Sequence, residues 1–399
     1  MSSLTSAPGA QRLLVISIVA RLPLVMLSIG LLVHTEHLTG SFAAAGAVTG
    51  VYAIALAVGG PLLGRLVDRG GQRPVLLASA AAAAVQLLAL AALPAGTSLA
   101  ALLALAAGIG LATPPVGACV RTLLPGLLPD AGAVRAAYAL DASASELTWI
   151  AGPPLALGLG ALWSTGAALA LAGLGLLVAT AAFAWQPASH RWRPAGDAPR
   201  PRGGSLGSPA MRTLVLVLIA VGVLFGAVEV AVTAVAKLHG GSTAAAGPLL
   251  ALWGAGSLAG GVLAARLRLP AGAAGLALLL AALAAGHVAL VAAAGSPAAL
   301  GAVLFVAGAA IAPTYAAVYA MVDDAAPAGT GTEAFAWLAT AIGTGAALGA
   351  AAAGALADHA GPSAALVLAG TAGAIALLVT LLRSGTLPGP EAPAVLSPA

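Results

Sequence analysis

The chain has 399 residues, of which 61% are hydrophobic and only 7% are Asp, Glu, Lys or Arg. A soluble domain carries about 25% charged residues, so a water-facing surface is excluded and a lipid-facing one fits. The net charge of +4 is 16 basic against 12 acidic residues; in so apolar a chain, excess arginine records orientation in the bilayer, not nucleic-acid binding.

Twelve apolar runs follow one another, near 13–33, 42–63, 74–95, 98–120, 136–159, 162–185, 212–236, 244–265, 269–293, 297–320, 331–356 and 362–382. Each is about the 20 residues that a bilayer-spanning helix needs. The runs do not alternate in polarity as barrel strands do, and backbone in lipid must bond within its own segment, so helices are expected. The first run, Leu13 to Val33, is too long for a signal-peptide core and is read as a retained span. His34, Glu36 and His37 follow it in an expected outer loop; their spacing resembles a metal site, but a solvated cluster is the simpler reading. Cys119 is the single cysteine, which excludes an internal disulfide and fits inert packing.

Most connections are short. The exception is Gln186 to Ala210, rich in Pro, Gly, Ser and Arg, which divides the runs six and six. The expected organisation is a six-helix bundle over 1–185, a cytoplasmic linker over 186–210, a second bundle over 211–385 and a cytoplasmic tail over 386–399. With both termini cytoplasmic, every Arg and Lys except Arg21 and Lys237 falls on the inner side, as the positive-inside rule requires. The halves echo each other at an offset near 200. Gly59-Gly60…Arg65 answers Gly260-Gly261…Arg266. Ala112-Thr113-Pro114 answers Ile311-Ala312-Pro313, and Ala136-Ala137-Tyr138 answers Glu333-Ala334-Phe335. Three echoes in the same order point to a duplicated bundle.

Charge concentrates in one turn after the second run, Gly64-Arg-Leu-Val-Asp68-Arg69-Gly-Gly71-Gln-Arg73. Gly60 and Gly64 permit close helix approach. Asp68 sits where a carboxylate can meet a helix N-terminus or a guanidinium. Arg69 and Arg73 serve equally well as plain orientation anchors. The spacing of Gly64, Asp68, Arg69, Gly71 and Arg73 resembles the signature between helices two and three of the major facilitator superfamily, with Gln72 replacing one expected positive charge. The second-half turn, Ala265-Arg266-Leu267-Arg268, lacks the acid. The resemblance extends over the chain through the twelve runs, the six-plus-six division and the basic linker. It implies an all-α fold of two pseudo-symmetric six-helix bundles with alternating access to a central cavity. It also implies that Asp68 locks the outward-open state against the second bundle, with the N-terminus of run eleven near Thr332 as target and Arg121 and Asp130 as candidate partners.

In run five, Trp149-Ile-Ala-Gly152-Pro153-Pro-Leu-Ala-Leu-Gly158 resembles in part the superfamily's helix-five antiporter signature, through Gly152 and Pro153; several expected upstream glycines are absent. An ordinary proline kink is the competing reading. Ionisable groups within spans are costly and are usually paired or functional. Arg21 lies ~14 Å along run one from Arg12, and Glu146 ~15 Å into run five, so the two can pair. Glu146 is then a proton carrier that Arg21 tunes, or the pair is structural. Asp141 lies nearer the cytoplasm on a polar stripe with Tyr138, Ser145 and Thr148, and Glu229 in run seven is a second proton-carrier candidate.

The expected function is a secondary transporter of a small organic molecule by alternating access. It would act as a proton-coupled exporter and monomer in a bacterial cytoplasmic membrane, powered by the proton gradient, with no cofactor, metal or nucleic acid. Proton-coupled uptake and a non-transporting receptor or scaffold are the alternatives. Enzymatic action is not expected, and with no Walker motif an ATP-driven pump is not expected either.

Overall fold

A computed structural model describes residues 8–193, 203–239, 246–264 and 270–389. The middle of the linker with Arg200 and Arg202, the turn holding Arg266 and Arg268, and the end of the C-terminal tail lie outside the described residues. Fifteen α-helices are described: α1 Pro8–Thr39, α2 Phe42–Gly70, α3 Gln72–Ala91, α4 Leu99–Ala112, α5 Val116–Leu127, α6 Ala131–Leu162, α7 Thr165–Ala184, α8 Pro187–Arg191, α9 Pro209–Leu238, α10 Ala246–Ala264, α11 Gly272–Ala293, α12 Pro297–Gly308, α13 Ile311–Ala325, α14 Gly331–Ala360 and α15 Pro362–Leu382. Among the described residues there is no strand.

Eleven spans are long and apolar enough to cross a membrane, counting α4 with α5 and α12 with α13 as one span each. The remaining long helix, α6, has 32 residues and carries the polar stripe of run five, with Asp141 and Glu146, together with Pro153 and Pro154. These helices are the twelve apolar runs. Helix starts are closed by side chains where the sequence supplies them: the Ser41, Ser98, Ser164, Ser208 and Ser296 hydroxyls each accept a first-turn N–H.

Two spans are broken at echoing places. Span four stops at Ala112 and resumes at Val116 across Pro114-Pro115, which have no N–H to continue the ladder. Span ten stops at Gly308 and resumes at Ile311, two residues before Pro313. At each break a threonine hydroxyl returns to the chain: Thr113 Oγ1 donates to the Ile109 carbonyl at 2.8 Å and Thr314 Oγ1 to the Ala310 carbonyl at 2.7 Å. The 112/311 echo thus marks a shared helix break.

The residues group into two compact units, 1–137 with 144–205 and 328–340, and 138–143 with 206–327 and 341–399. In the first, α2 packs on α4, α3 on α7 and α1 on α7; in the second, α10 packs on α12, α11 on α15 and α9 on α15. The pairings are the same in each half. Glycines set the closest of them. A Cβ on Gly59 would lie 2.7 Å from the Leu111 Cα, and one on Gly260 would overlap the Ala309 carbonyl. Leu27, Leu31, Leu87, Leu102, Ile109 and Leu176 fill the core of the first unit. Since lipid is as apolar as leucine, this core is held by close packing rather than by exclusion of water.

Helix α1 continues to Thr39, so His34, Glu36 and His37 lie on a helix end and not in a loop. His34 is buried, with Nδ1 2.9 Å from Thr165 Oγ1 and Nε2 3.2 Å from the Leu90 carbonyl. Both ring nitrogens join helices, which leaves neither for a metal.

Candidate functional site

Asp68 stands in the last turn of α2, 3% exposed. Its Oδ1 accepts the Thr332 N–H at 3.0 Å and its Oδ2 accepts the Glu333 N–H at 2.8 Å. These are first-turn amides of α14, whose orphan donors and positive dipole end favour a carboxylate. Gly64, one turn earlier, makes the approach possible: a Cβ there would stand 2.9 Å from the Glu333 Cα and 3.0 Å from its nitrogen. Gly71 ends α2 at φ +93°, a conformation that side chains disfavour, and starts α3 one residue later. Each glycine of the sequence signature therefore has a separate steric task.

Around this contact lies a second layer. Arg65 holds Glu333 with two nitrogens, Nη2 to Oε1 at 2.7 Å and Nε to Oε2 at 3.2 Å. The Ser205 N–H, at the end of the central linker, reaches the same Oε1 at 3.4 Å. Gly204 takes φ +58° there, and a Cβ on it would run into the Glu333 carboxylate. Further along α14, Thr340 Oγ1 donates to the Ala57 carbonyl at 2.8 Å. All of these residues belong to the first unit. Arg69 is exposed, and Arg73 packs against Trp185 and His190. Gln72 is buried and donates to the Cys119 carbonyl at 3.2 Å, so the departure from the charged signature ties α3 to α5. Asp130 caps α6 by accepting the Ala133 N–H at 2.8 Å, a role in helix initiation in place of the expected partnership with Asp68.

A second cluster lies deeper in the first unit. Arg21 donates from Nη1 to Ser145 Oγ at 2.8 Å, from Nη2 to Ser17 Oγ at 3.2 Å and from Nε to the Ser17 carbonyl at 3.1 Å. The site that a Gly117 Cβ would occupy lies 3.8 Å from Nη1 of both Arg21 and Arg121. Two guanidiniums thus gather at one glycine, beside the residue that precedes Glu146. Gly152 of the helix-five motif packs against Val25, where a Cβ would be 2.9 Å from the Val25 Cβ. The motif therefore joins α6 to α1 one turn from Arg21.

These features bear on kinship. A profile described as Major Facilitator Superfamily matches residues 13–286. The chain belongs to the major facilitator superfamily. No curated protein sequence matches it. Its fold resembles that of the human organic anion transporter MFSD10 (TM-score 0.72, 18% identity, 93% of this chain and 99% of that one). It also resembles a bacterial homologue of the iron transporter ferroportin in an outward-facing state (0.74, 18%, 94% and 99%). The proton:xylose symporter XylE is similar too (0.71, 16%, 94% and 95%). As a superfamily member the chain is a multi-pass membrane transporter, not an enzyme.

The second unit of this superfamily protein connects Tyr138 of the polar stripe with Tyr315, Tyr319 and His287, which in the sequence read as packing or cavity-lining groups, and with Asp323, which the sequence did not single out. Asp323, at the end of α13, takes the Tyr138 hydroxyl at 3.2 Å. Tyr138 meets Tyr319 edge-on at 6.0 Å, and Tyr319 stacks on Tyr315 at 5.7 Å. The chain of rings continues through Phe225 and Trp253, whose indole N–H donates to buried His287 at 3.2 Å. Asp141 is fully buried, whereas Glu229 is exposed on α9. Among the described residues, no group of three His, Cys, Asp or Glu is placed to hold a metal.

Proposed function

We propose that the chain is a proton-coupled exporter of a small organic molecule, working by alternating access in a bacterial cytoplasmic membrane with both termini inside. The observation that carries the gating part is the contact of Asp68 with the first turn of α14. A carboxylate bound by two main-chain amides is strong when dry and is lost as one unit when the helix end moves away. It therefore acts as a catch on one conformation, and Arg65 and Glu333 stiffen it. The cargo and proton path is assigned to the deeper cluster, where Arg21, Arg121 and Ser145 converge beside Glu146. Export is favoured by the Gly152-Pro153 motif, whose glycine sits tight against α1.

The test is flux in proteoliposomes under an imposed pH gradient, preceded by a substrate screen in a strain lacking the gene, with and without an uncoupler. Solute leaving the cytoplasmic side against its gradient, and stopping with the uncoupler, is the expected result. Proton-driven accumulation would make the chain an uptake symporter, and no movement of any solute would make it a scaffold. A reporter fused after Arg193 is expected to read cytoplasmic; a periplasmic signal overturns the orientation.

A further inference from the structure

We infer that the junction of α2, α3 and α8 is a binding site for an anionic phospholipid, with its phosphate among arginines and one acyl chain in the groove below. Two adjoining hollows carry this. The upper one, about 390 Å³, is lined by Gly71, Gln72, Arg73, His190, Trp192 and Arg193. The lower one, about 670 Å³, runs between α2 and α3 past Leu66, Arg69, Val75, Ala78 and Ala82 and is walled almost wholly by carbon. They share Gly70 and Pro74. One ligand with a polar head and an apolar tail fills both; a free anion fills only the first.

Charge is complementary to such a head. Residues 69–77 and 185–193 contain Arg69, Arg73, Arg191, Arg193 and His190 and no acid. Among the described residues no carboxylate pairs with any of those arginines, whereas Arg65, one turn before Arg69, pairs with Glu333. The site is built rather than loose. The Arg73 guanidinium lies 4.2 Å over the Trp185 ring, and its Nη1 is 3.0 Å from His190 Nδ1. Arg193 is fixed by bonds from its Nη1 to the His190 and Trp192 carbonyls at 3.0 and 3.1 Å. The amides at the start of α3 add the positive end of a 20-residue helix. Tryptophans and arginines together are what the headgroup layer favours. The depth also matches: Pro74 to Ala82 is ~12 Å of helix against ~15 Å for one leaflet's hydrocarbon. The groove opens outward, since the Leu66 side of α2 is half exposed. By the arginine distribution this end faces the cytoplasmic leaflet, where anionic lipid interacts with basic segments.

Native mass spectrometry of the full chain, exchanged into detergent with equal phosphatidylglycerol and phosphatidylcholine, tests this. The wild type is expected to retain phosphatidylglycerol preferentially. R73Q/R193Q is expected to lose about fivefold of that preference per arginine removed, while R212Q, an exposed arginine elsewhere, keeps it. A78W, which fills the groove at an exposed position, is expected to lower retention of both lipids. R193Q alone serves if the double variant fails to fold, as judged by its melting temperature. An unchanged preference in the arginine variants overturns the site. So does inorganic phosphate binding to the delipidated protein, measured by phosphorus NMR, as tightly as phosphatidylglycerol does.

Discussion

Arg65 and Glu333, 268 positions apart, form a two-nitrogen ion pair over the same helix turn whose amides Asp68 binds. Glu333 is thus gripped at both ends: its main-chain N–H by Asp68, its side chain by Arg65 and the Ser205 N–H.

Replacing Asp68 by Asn keeps the shape but removes the charge and sets an NH2 against one of two amide donors. A charge-assisted hydrogen bond contributes about 1.5–3 kcal/mol, so flux in proteoliposomes is expected to fall about tenfold or more while membrane insertion is unchanged. Wild-type flux in Asp68→Asn would sink the gating role.

The ion pair makes an ordered prediction. Arg65→Ala leaves a buried carboxylate short of its cation, whereas Glu333→Gln leaves only a half-exposed arginine free. The arginine change is therefore expected to lower the melting temperature more, and the double change to cost less than the sum. The coupling should be on the order of 1 kcal/mol, discounted because Arg65 is 40% exposed. Strictly additive melting temperatures would show that the pair contributes nothing.

Gly64→Ala places a methyl group 2.9 Å from the Glu333 Cα, so α2 and α14 must part. Gly60→Ala, one turn away, meets only Thr340 Oγ1 at 3.8 Å, an ordinary contact. Transport is expected to be lost by about tenfold in the first and retained in the second. Equal activity in both would mean that the helix contact is not part of the cycle.

Glu146→Gln tests proton coupling apart from gating. Solute movement down its own gradient is expected to persist, and the response to an imposed pH gradient to vanish. Should the pH response survive while the melting temperature drops, Glu146 belongs to the Arg21 cluster as a structural member.

Much of this was legible before any coordinates. Apolar runs, prolines and arginine placement carry the spans, because lipid leaves the backbone few options. The echo at 112 and 311 reads as repetition in the sequence and becomes a helix break in space. Asp68 and its helix target followed from the turn's spacing once kinship with a known family was drawn. Arg65 was visible only as one charge of the turn and as part of an echo, and Glu333 only as the start of one. Nothing in a one-dimensional pattern joins residues 268 positions apart. The Tyr138–Asp323 bond and the ring series to His287 were hidden for the same reason, since their members are spread over α6, α9, α10, α11 and α13. Asp130 misled because a lone acid at a helix start reads equally as a charge partner and as a cap.

Ser205 gives the linker a fixed mooring. Its N–H rests on the Glu333 carboxylate that Arg65 also grips, and a Cβ on Gly204 would run into the same carboxylate. The linker residues next to α9 are therefore a third support for the turn that Asp68 holds, and a single side chain added at Gly204, outside every span, is enough to loosen that turn.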